Sequence, residues 1–179
     1  MTRNMHTKLR RFWLSEDGAL MIVPFALWLP LFIGIVVSGI ELGAITLRHT
    51  VLERALDQTV RDIRLGTGTN YDHASIKASI CEKADILPGC EDNLRLEMVK
   101  LNIRNWHEPP AAVDCVDHSE TVAPVLTFEY GRDNELMYLR ACYKYRPFSP
   151  ASGLGSSLRT DSEGYSALIS TSAFVQEPS

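Results

Sequence analysis

The sequence lacks most of the features that catalysis and nucleic-acid binding require. Basic residues are not in surplus, because 18 Lys and Arg stand against 22 Asp and Glu, which argues against a general nucleic-acid binder. There is no G-x-S-x-G, HExxH or CxxC motif and no internal repeat. With 45% hydrophobic and 22% charged residues, the composition also argues against full-length disorder, collagen and a polytopic membrane protein.

The apolar residues are concentrated in one run. From Ala19 to Ile40, 22 residues carry no charge, and Ser38 is the only hydroxyl. As a helix this run would be about 33 Å long, enough to cross a hydrocarbon core of about 30 Å, and it has no polar face. The run therefore predicts a membrane span. The alternative is a cleaved secretory signal, whose apolar region is typically only about 7–15 residues long.

The charges beside the run predict its orientation. Four basic residues precede it and two follow within about 20 residues, which favours a cytoplasmic N-terminus: Arg3, Lys8, Arg10 and Arg11, against Arg48 and Arg54. We therefore expect a basic cytoplasmic leader at 1–18, a transmembrane helix at 19–40 and an extracytoplasmic, periplasmic domain at 41–179.

All four cysteines follow the span, which fits an oxidising compartment. An even number of cysteines in an exported domain predicts two disulfides, and four cysteines allow three pairings. We favour Cys81–Cys90, which closes a short loop, and Cys115–Cys142, which ties a loop to a strand. The Cys115-Val116-Asp117-His118 segment, with Asp114 and His107 nearby, is the sharpest candidate metal site, and a disulfide at Cys115 is the better interpretation.

Helical periodicity continues past the span. Apolar residues recur at helical spacing from Glu41 to Leu65, and Gly66-Thr67-Gly68 supplies a stop. A second helix is predicted from Asp72, its N-cap, to Ala84. One long helix should therefore be lipid-embedded first and amphipathic afterwards.

Alternating residues then predict about four strands. The first runs from Leu94 to about Ile103, with a bulge where its apolar phase slips at Val99. Segments 125–130 and 136–145 read as a hairpin around GRDN, and Tyr165 to Val175 forms the last strand. The expected class is α+β, with the amphipathic helix packed on a small, mostly antiparallel sheet.

Three segments resemble the TadE-like proteins of tight-adherence (Flp/Tad) pilus systems. They are EDGALMIVPFALWLPLF, ELGAITLRHTVLERALDQTVRDIRLGTG and the ending STSAFVQEP. The resemblance covers Glu16–Gly68 well and the last strand moderately. It implies a pilin-like fold and a single-span minor pseudopilin or assembly component at the bacterial inner membrane, without catalysis or cofactor. The implied partners are the membrane and other pilin-like or Tad assembly subunits.

The resemblance also implies a processing site. Family members are commonly cleaved by a prepilin peptidase after a Gly, and Gly18-Ala19 stands at that position here. The family's Glu at the fifth mature position is replaced by Val23. That change removes the carboxylate that would pair with the new N-terminal amine of a neighbouring subunit inside an apolar filament. Cleavage at Gly18 is therefore a hypothesis.

Small residues and one carboxylate near the end of the span are candidates for partner contacts. Gly34, Gly39 and Gly43 lie at four- and five-residue steps, and small residues let helices approach closely. Glu41, one residue past the apolar run, is either a carboxylate that marks the membrane boundary or a contact with a partner span.

No catalytic set, cofactor site or small-molecule substrate is evident. GTGTN at Gly66 and GLGSS at Gly153 lack the Lys-Ser/Thr ending of a phosphate loop and read as a helix stop and a flexible loop. Besides pilus assembly, the sequence allows a single-span envelope protein whose periplasmic domain binds a ligand or a protein and is unrelated to pili. An exported enzyme is a third hypothesis, for which no residue can be named.

Overall fold

One helix, α1, extends over Ala19–Arg64 and carries both the apolar run and the amphipathic segment. Its 46 residues would measure about 69 Å at about 1.5 Å per residue. The helix continues through Pro24 and Pro30. The computed structural model describes residues 19–65, 71–106, 108–109, 113, 115–116, 128–129, 131–132, 134–150 and 153–177, with side chains from residue 22 onward.

In the part of the chain that the structure describes, two shorter α-helices follow α1. Helix α2 spans His73–Lys83, and the carboxylate of its predicted N-cap, Asp72, accepts a hydrogen bond of 2.7 Å from the N–H of Ser75. Helix α3 is a single turn, Cys90–Asn93. It starts after Gly89, whose φ of 57° is left-handed and therefore favours glycine.

Three antiparallel strands form the sheet in the described part of the chain. Strands β1 (Leu94–Leu101), β2 (Leu136–Tyr145) and β3 (Ser166–Val175) lie in the order β1-β2-β3. With the long helix, this arrangement confirms the expected α+β class. A 3₁₀ turn at Gly155–Ser157 lies in the connection from β2 to β3.

The predicted hairpin around GRDN is wrong. Strand β2 pairs with β1 from Leu136 to Tyr143 and with β3 along its whole length, so neither edge is free for segment 125–130. Phe128 instead makes a parallel bridge to Met98 of β1. Residues 125–127 and 130 lie outside the described residues. A local sequence pattern does not identify the strands that pair with β2, because β1 and β3 are distant from it in the sequence.

The predicted bulge in β1 is also wrong. The β1–β2 register runs without interruption from Leu94↔Tyr143 to Leu101↔Leu136. The apolar phase slips because both faces of β1 are partly covered, so that Leu96 is buried on one face and Val99 is half-buried on the other. The strand ends at Leu101, and Ile103 beyond it is exposed.

The core forms where the second half of α1 packs with α2 on one face of the sheet. Alternate β3 residues point into it, and the intervening ones are exposed. The core side chains with no exposed surface include Leu52 and Leu56 of α1, Ile76 and Ile80 of α2, and Leu94, Leu96 and Leu139 of the sheet. Burying such a side chain contributes about 1.5–3 kcal/mol.

Helix α1 runs alongside β3 in the same direction. His49 Nε2 donates a hydrogen bond of 3.2 Å to the carbonyl of Ile169, and Arg64 pairs with Glu177 at 3.0 Å. The junction of β2 and β3 near Tyr145 and Ser166 is therefore the end of the sheet near the apolar run. The end near Leu101 and Leu136 is the distal one.

Within the described residues, α1 is the one helix long and apolar enough to cross a bilayer. None of its most apolar window is buried against the rest of the chain, whereas the core helix of a soluble protein would be mostly buried. The helix continues unbroken into the core at Leu52. A single N-terminal apolar helix indicates a membrane anchor, and the disulfides indicate an oxidising compartment.

Candidate functional site: the junction of span and domain

The last turns of the apolar run meet the folded domain at Glu41. This side chain has no exposed surface, and its Oε2 accepts a hydrogen bond of 2.9 Å from the backbone N–H of Ser149. Its Oε1 has no hydrogen-bond partner among the described residues. The carboxylate that we expected at the membrane boundary or on a partner span is therefore covered by the chain's own β2–β3 connection.

Arg48 lies two turns further along α1 on the same side as Glu41. Its guanidinium carbon is 5.1 Å from the centre of the Tyr145 ring and 4.8 Å from that of Phe148. These distances are typical of cation–π contacts. Its Nη1 atom is occluded and has no hydrogen-bond partner in the described part of the chain. The guanidinium is thus positioned by aromatic rings, and no described carboxylate forms an ion pair with it.

Two tyrosines support this junction. The hydroxyl of Tyr143 donates a hydrogen bond of 2.8 Å to the carbonyl of Pro88. Burial raises the pKa of Tyr143, and burial together with the charge of Glu41 raises the pKa of Tyr145. Both phenols therefore stay protonated and neutral at ordinary pH, so they can serve as hydrogen-bond donors and cation-binding faces but not as bases.

A cavity of about 250 Å³ opens at this end of the sheet. It lies where β2 extends beyond the start of β1, since the last β1–β2 pair at this end is Leu94↔Tyr143. Among the described residues, the lining contains three cations and no carboxylate: it is formed by Arg48, Pro88, Asn93, Tyr143, Lys144, Tyr145, Arg146 and Tyr165. The cavity therefore suits an anion.

The three cations differ in what neutralises them. Lys144 pairs with Asp161 at 2.6 Å. Burial raises the pKa of Asp161, but hydrogen bonds from Lys144 and from nearby backbone N–H groups outweigh it and hold the pKa below its usual value. Arg146 is exposed, and its guanidinium lies 4.7 Å from the centre of the Tyr165 ring. No described carboxylate pairs with Arg48 or Arg146, so these two residues supply the net positive charge of the cavity.

The three candidate glycines do not share one face of α1. At about 100° per residue, Gly39 and Gly43 lie about 40° apart, whereas Gly34 lies about 140° from Gly39 and within about 20° of Glu41. A Cβ added at any of the three would meet nothing within 4 Å. Gly39 and Gly43 therefore form an open small-residue surface that faces away from the sheet.

A second, distal groove of about 380 Å³ lies between the end of α1 and β3. Its polar lining is balanced, because Arg61 and Arg64 are accompanied by Asp57 and Glu177. Arg64 is bonded to Glu177 at 3.0 Å. This groove has no net charge to select a ligand.

Both favoured disulfides are present. Cys81 is bonded to Cys90 and Cys115 to Cys142, so both pairings are confirmed. The remaining candidate ligands beside Cys115 lie outside the described residues: His107, Asp114, Asp117 and His118. Among the described residues, no group of three His, Cys, Asp or Glu could hold a metal ion. Gly18 also lies outside them, and Ala19 is the first residue of α1.

No family model, no curated protein and no solved structure matches this chain. The fold defines its class as an α+β domain on a membrane-anchor helix.

The sequence did not reveal the junction as a site. Arg48 serves there only as a charge beside the span, and no sequence pattern singles out Phe148 or Ser149. One signal was available: the segment from Pro147 to Leu158 has no charged residue, and Arg146 and Arg159 flank it.

Proposed function

We propose that this protein is a membrane-anchored minor pseudopilin or assembly component of a Tad/Flp-type pilus. It acts through helix–helix interaction and not through catalysis. The observation that carries the proposal is the continuity of α1: one helix is apolar and unburied in its first half and forms the core of an antiparallel domain in its second half. The helix Ala19–Arg64 lies within the TadE-like stretch Glu16–Gly68.

The proposal includes an orientation. The basic leader lies in the cytoplasm, the span crosses the bacterial inner membrane and the disulfide-bonded domain lies in the periplasm. The excess of basic residues before the span supports this direction.

The surface proposed to meet other subunits is the outward side of α1 around Gly39 and Gly43. Exposed aliphatic side chains border these glycines: Ile40, Leu42 and Leu47 are 62%, 56% and 57% exposed. Small residues framed by aliphatic ones allow another helix to approach closely and pack. Glu41 is not part of this surface, because it is buried on the opposite side.

Crosslinking in membranes tests the surface with a matched control. Gly39→Leu fills the proposed contact and should reduce the recovery of other single-span, pilin-like chains crosslinked to this one. Gly34→Leu adds the same side chain about 140° around the helix and should leave that recovery unchanged. Equal recovery with both variants contradicts the proposed surface.

Electron microscopy of a deletion strain tests the pilus role itself. Loss of pili, restored by the intact gene, supports the proposal. Normal pili contradict it and favour the second candidate, an envelope protein that binds a ligand through its periplasmic domain. The specific observation behind that candidate is the cationic cavity at Arg48 and Arg146.

Mass spectrometry of the mature protein tests processing. A chain that begins at Ala19 supports prepilin cleavage after Gly18. A chain that begins at Met1 or Thr2 contradicts it.

A further inference from the structure

The β2–β3 connection lies beside the apolar run itself. Two contacts show this. A Cβ added at Gly153 would lie 3.9 Å from Ser38 Oγ, and the backbone N–H of Ser149 donates a hydrogen bond to Glu41. Ser38 precedes Glu41 by three residues, so it lies about 4.5 Å further into the span along α1. The connection therefore reaches the level of the last turn of the span, where the interface between hydrocarbon and headgroups begins.

The composition of the connection fits that level. From Pro147 to Leu158 it has no charged residue. Phe148 presents 66% of its surface outward, although a single soluble domain would gain by burying it. An arginine stands on each side of the segment, at Arg146 and Arg159, and long cationic side chains at such boundaries reach toward headgroups.

The cationic cavity lies directly beside this segment. Arg48 contacts Phe148, and Arg146 adjoins Pro147. Lys144 is neutralised by Asp161, so Arg48 and Arg146 supply the net positive charge. Guanidinium groups at this level match the phosphates of anionic lipids, and each basic residue near an anionic surface contributes about 1 kcal/mol of attraction.

We propose that Phe148 of the β2–β3 connection and the adjacent cavity form a second membrane contact. The Phe148 side chain inserts into the leaflet on the domain's side, and Arg48 and Arg146 bind the phosphate of an anionic phospholipid. This contact would fix the height and tilt of the domain on the bilayer. It would also keep the buried carboxylate of Glu41 away from lipid. The inference rests on the membrane anchor and does not depend on a role in pili.

Spin labels on the full chain in lipid nanodiscs test the insertion. The native cysteines are paired, so a single added cysteine can be labelled. Phe148→Cys should give a nitroxide that collides with oxygen severalfold more, relative to a water-soluble nickel reagent, than a label at Ile103→Cys. Ile103 is a matched control because it is an apolar residue, 73% exposed, near the distal end of the sheet. Equal accessibility at the two positions overturns the proposed insertion.

Spin-labelled lipids test the headgroup site. The wild-type chain should restrict labelled phosphatidylglycerol more than labelled phosphatidylcholine at low salt, and this preference should disappear with Arg48→Gln/Arg146→Gln. Arg104→Gln, a cation near the distal end, should leave the preference unchanged. Equal restriction of the two lipids by the wild-type chain overturns the headgroup site. Since Arg48 is half-buried against two aromatic rings whereas Arg146 is exposed, Arg146→Gln alone is the second variant, and it should lower the preference with little effect on folding.

Failure of this proposal and failure of the pilus proposal are distinguishable. Pili can be lost in the deletion strain while the label at residue 148 stays in water, and normal pili can accompany an inserted label.

Discussion

The carboxylate of Glu41 accepts a hydrogen bond from the backbone N–H of Ser149, 108 residues later in the chain. The bond joins the end of the apolar run to the connection between the last two strands. It therefore couples the position of the domain to that of the anchor helix.

Substitution of Glu41 should expose this coupling. Glu41→Leu leaves the Ser149 N–H without its acceptor, and an unsatisfied buried donor costs about 1–3 kcal/mol. Glu41→Gln keeps an acceptor oxygen of the same reach, so it should retain the hydrogen bond from the Ser149 N–H. Hydrogen exchange of the peptide that contains Ser149 should accelerate in Glu41→Leu and not in Glu41→Gln.

The exposed Glu53 provides the control, since its side chain is 55% exposed. Glu53→Gln should leave that exchange unchanged. Equal exchange in the wild type and Glu41→Leu would show that the hydrogen bond does not hold the connection in place.

The two sides of α1 should respond differently to truncation. Leu52 is completely buried and Leu47 is 57% exposed. Leu52→Ala should lower the free energy of unfolding by about 2–5 kcal/mol, because it leaves a cavity. Leu47→Ala should change it by about 0.5 kcal/mol or less. Thermal unfolding of the full chain in detergent measures both, and a larger loss for Leu47→Ala would contradict the orientation of the helix.

The two disulfides should differ in their contribution to stability. Their sequence separations are 27 for Cys115–Cys142 and 9 for Cys81–Cys90. The loop-entropy relation then gives about 3.6 and about 2.6 kcal/mol. Paired Cys→Ala variants should therefore both lower the unfolding temperature, with the larger drop for Cys115/Cys142. The reverse order would mean that restriction of the unfolded chain is not the main effect.

His73 should make stability depend on pH. Burial, assisted by the charges of Lys77 and Arg95, lowers the pKa of His73 below its ordinary 6.5. The unfolded chain therefore binds this proton at a higher pH than the folded chain does. The His73 contribution is complete above about pH 6.5 and is lost as pH falls toward the folded pKa.

Unfolding temperatures between pH 8 and pH 5 measure this contribution. The wild type should lose stability below about pH 6.5, and His73→Gln should flatten that part of the profile, because glutamine does not titrate. The two profiles should differ little in slope above pH 7.5. An unchanged slope in the variant would assign the effect to other groups.

Much of the fold could be predicted from local patterns. The apolar run, the N-cap at Asp72 and the alternating faces of β3 depend on neighbours within a few residues. Such features follow from residues that are close together in the sequence, so local sequence patterns are enough to predict them. The disulfide pairing was favoured because it joined nearby cysteines and tied a loop to a strand. The hairpin and the bulge were wrong because β1 selects a partner about 40 residues away, and because its two faces are covered by different parts of the chain.

The sequence by itself determined that this protein has one long helix with an apolar and an amphipathic half, and an α+β domain with two disulfides. Only the tertiary structure decided that Glu41 is buried, that Gly34 lies on a different face from Gly39, and that Arg48 joins Arg146 in a cationic cavity. The physical reason is distance along the chain. The groups that contact Glu41 and Arg48 come from residues 145–149, about 100 positions later in the chain. Local sequence patterns therefore do not predict the burial or the contacts of these two side chains.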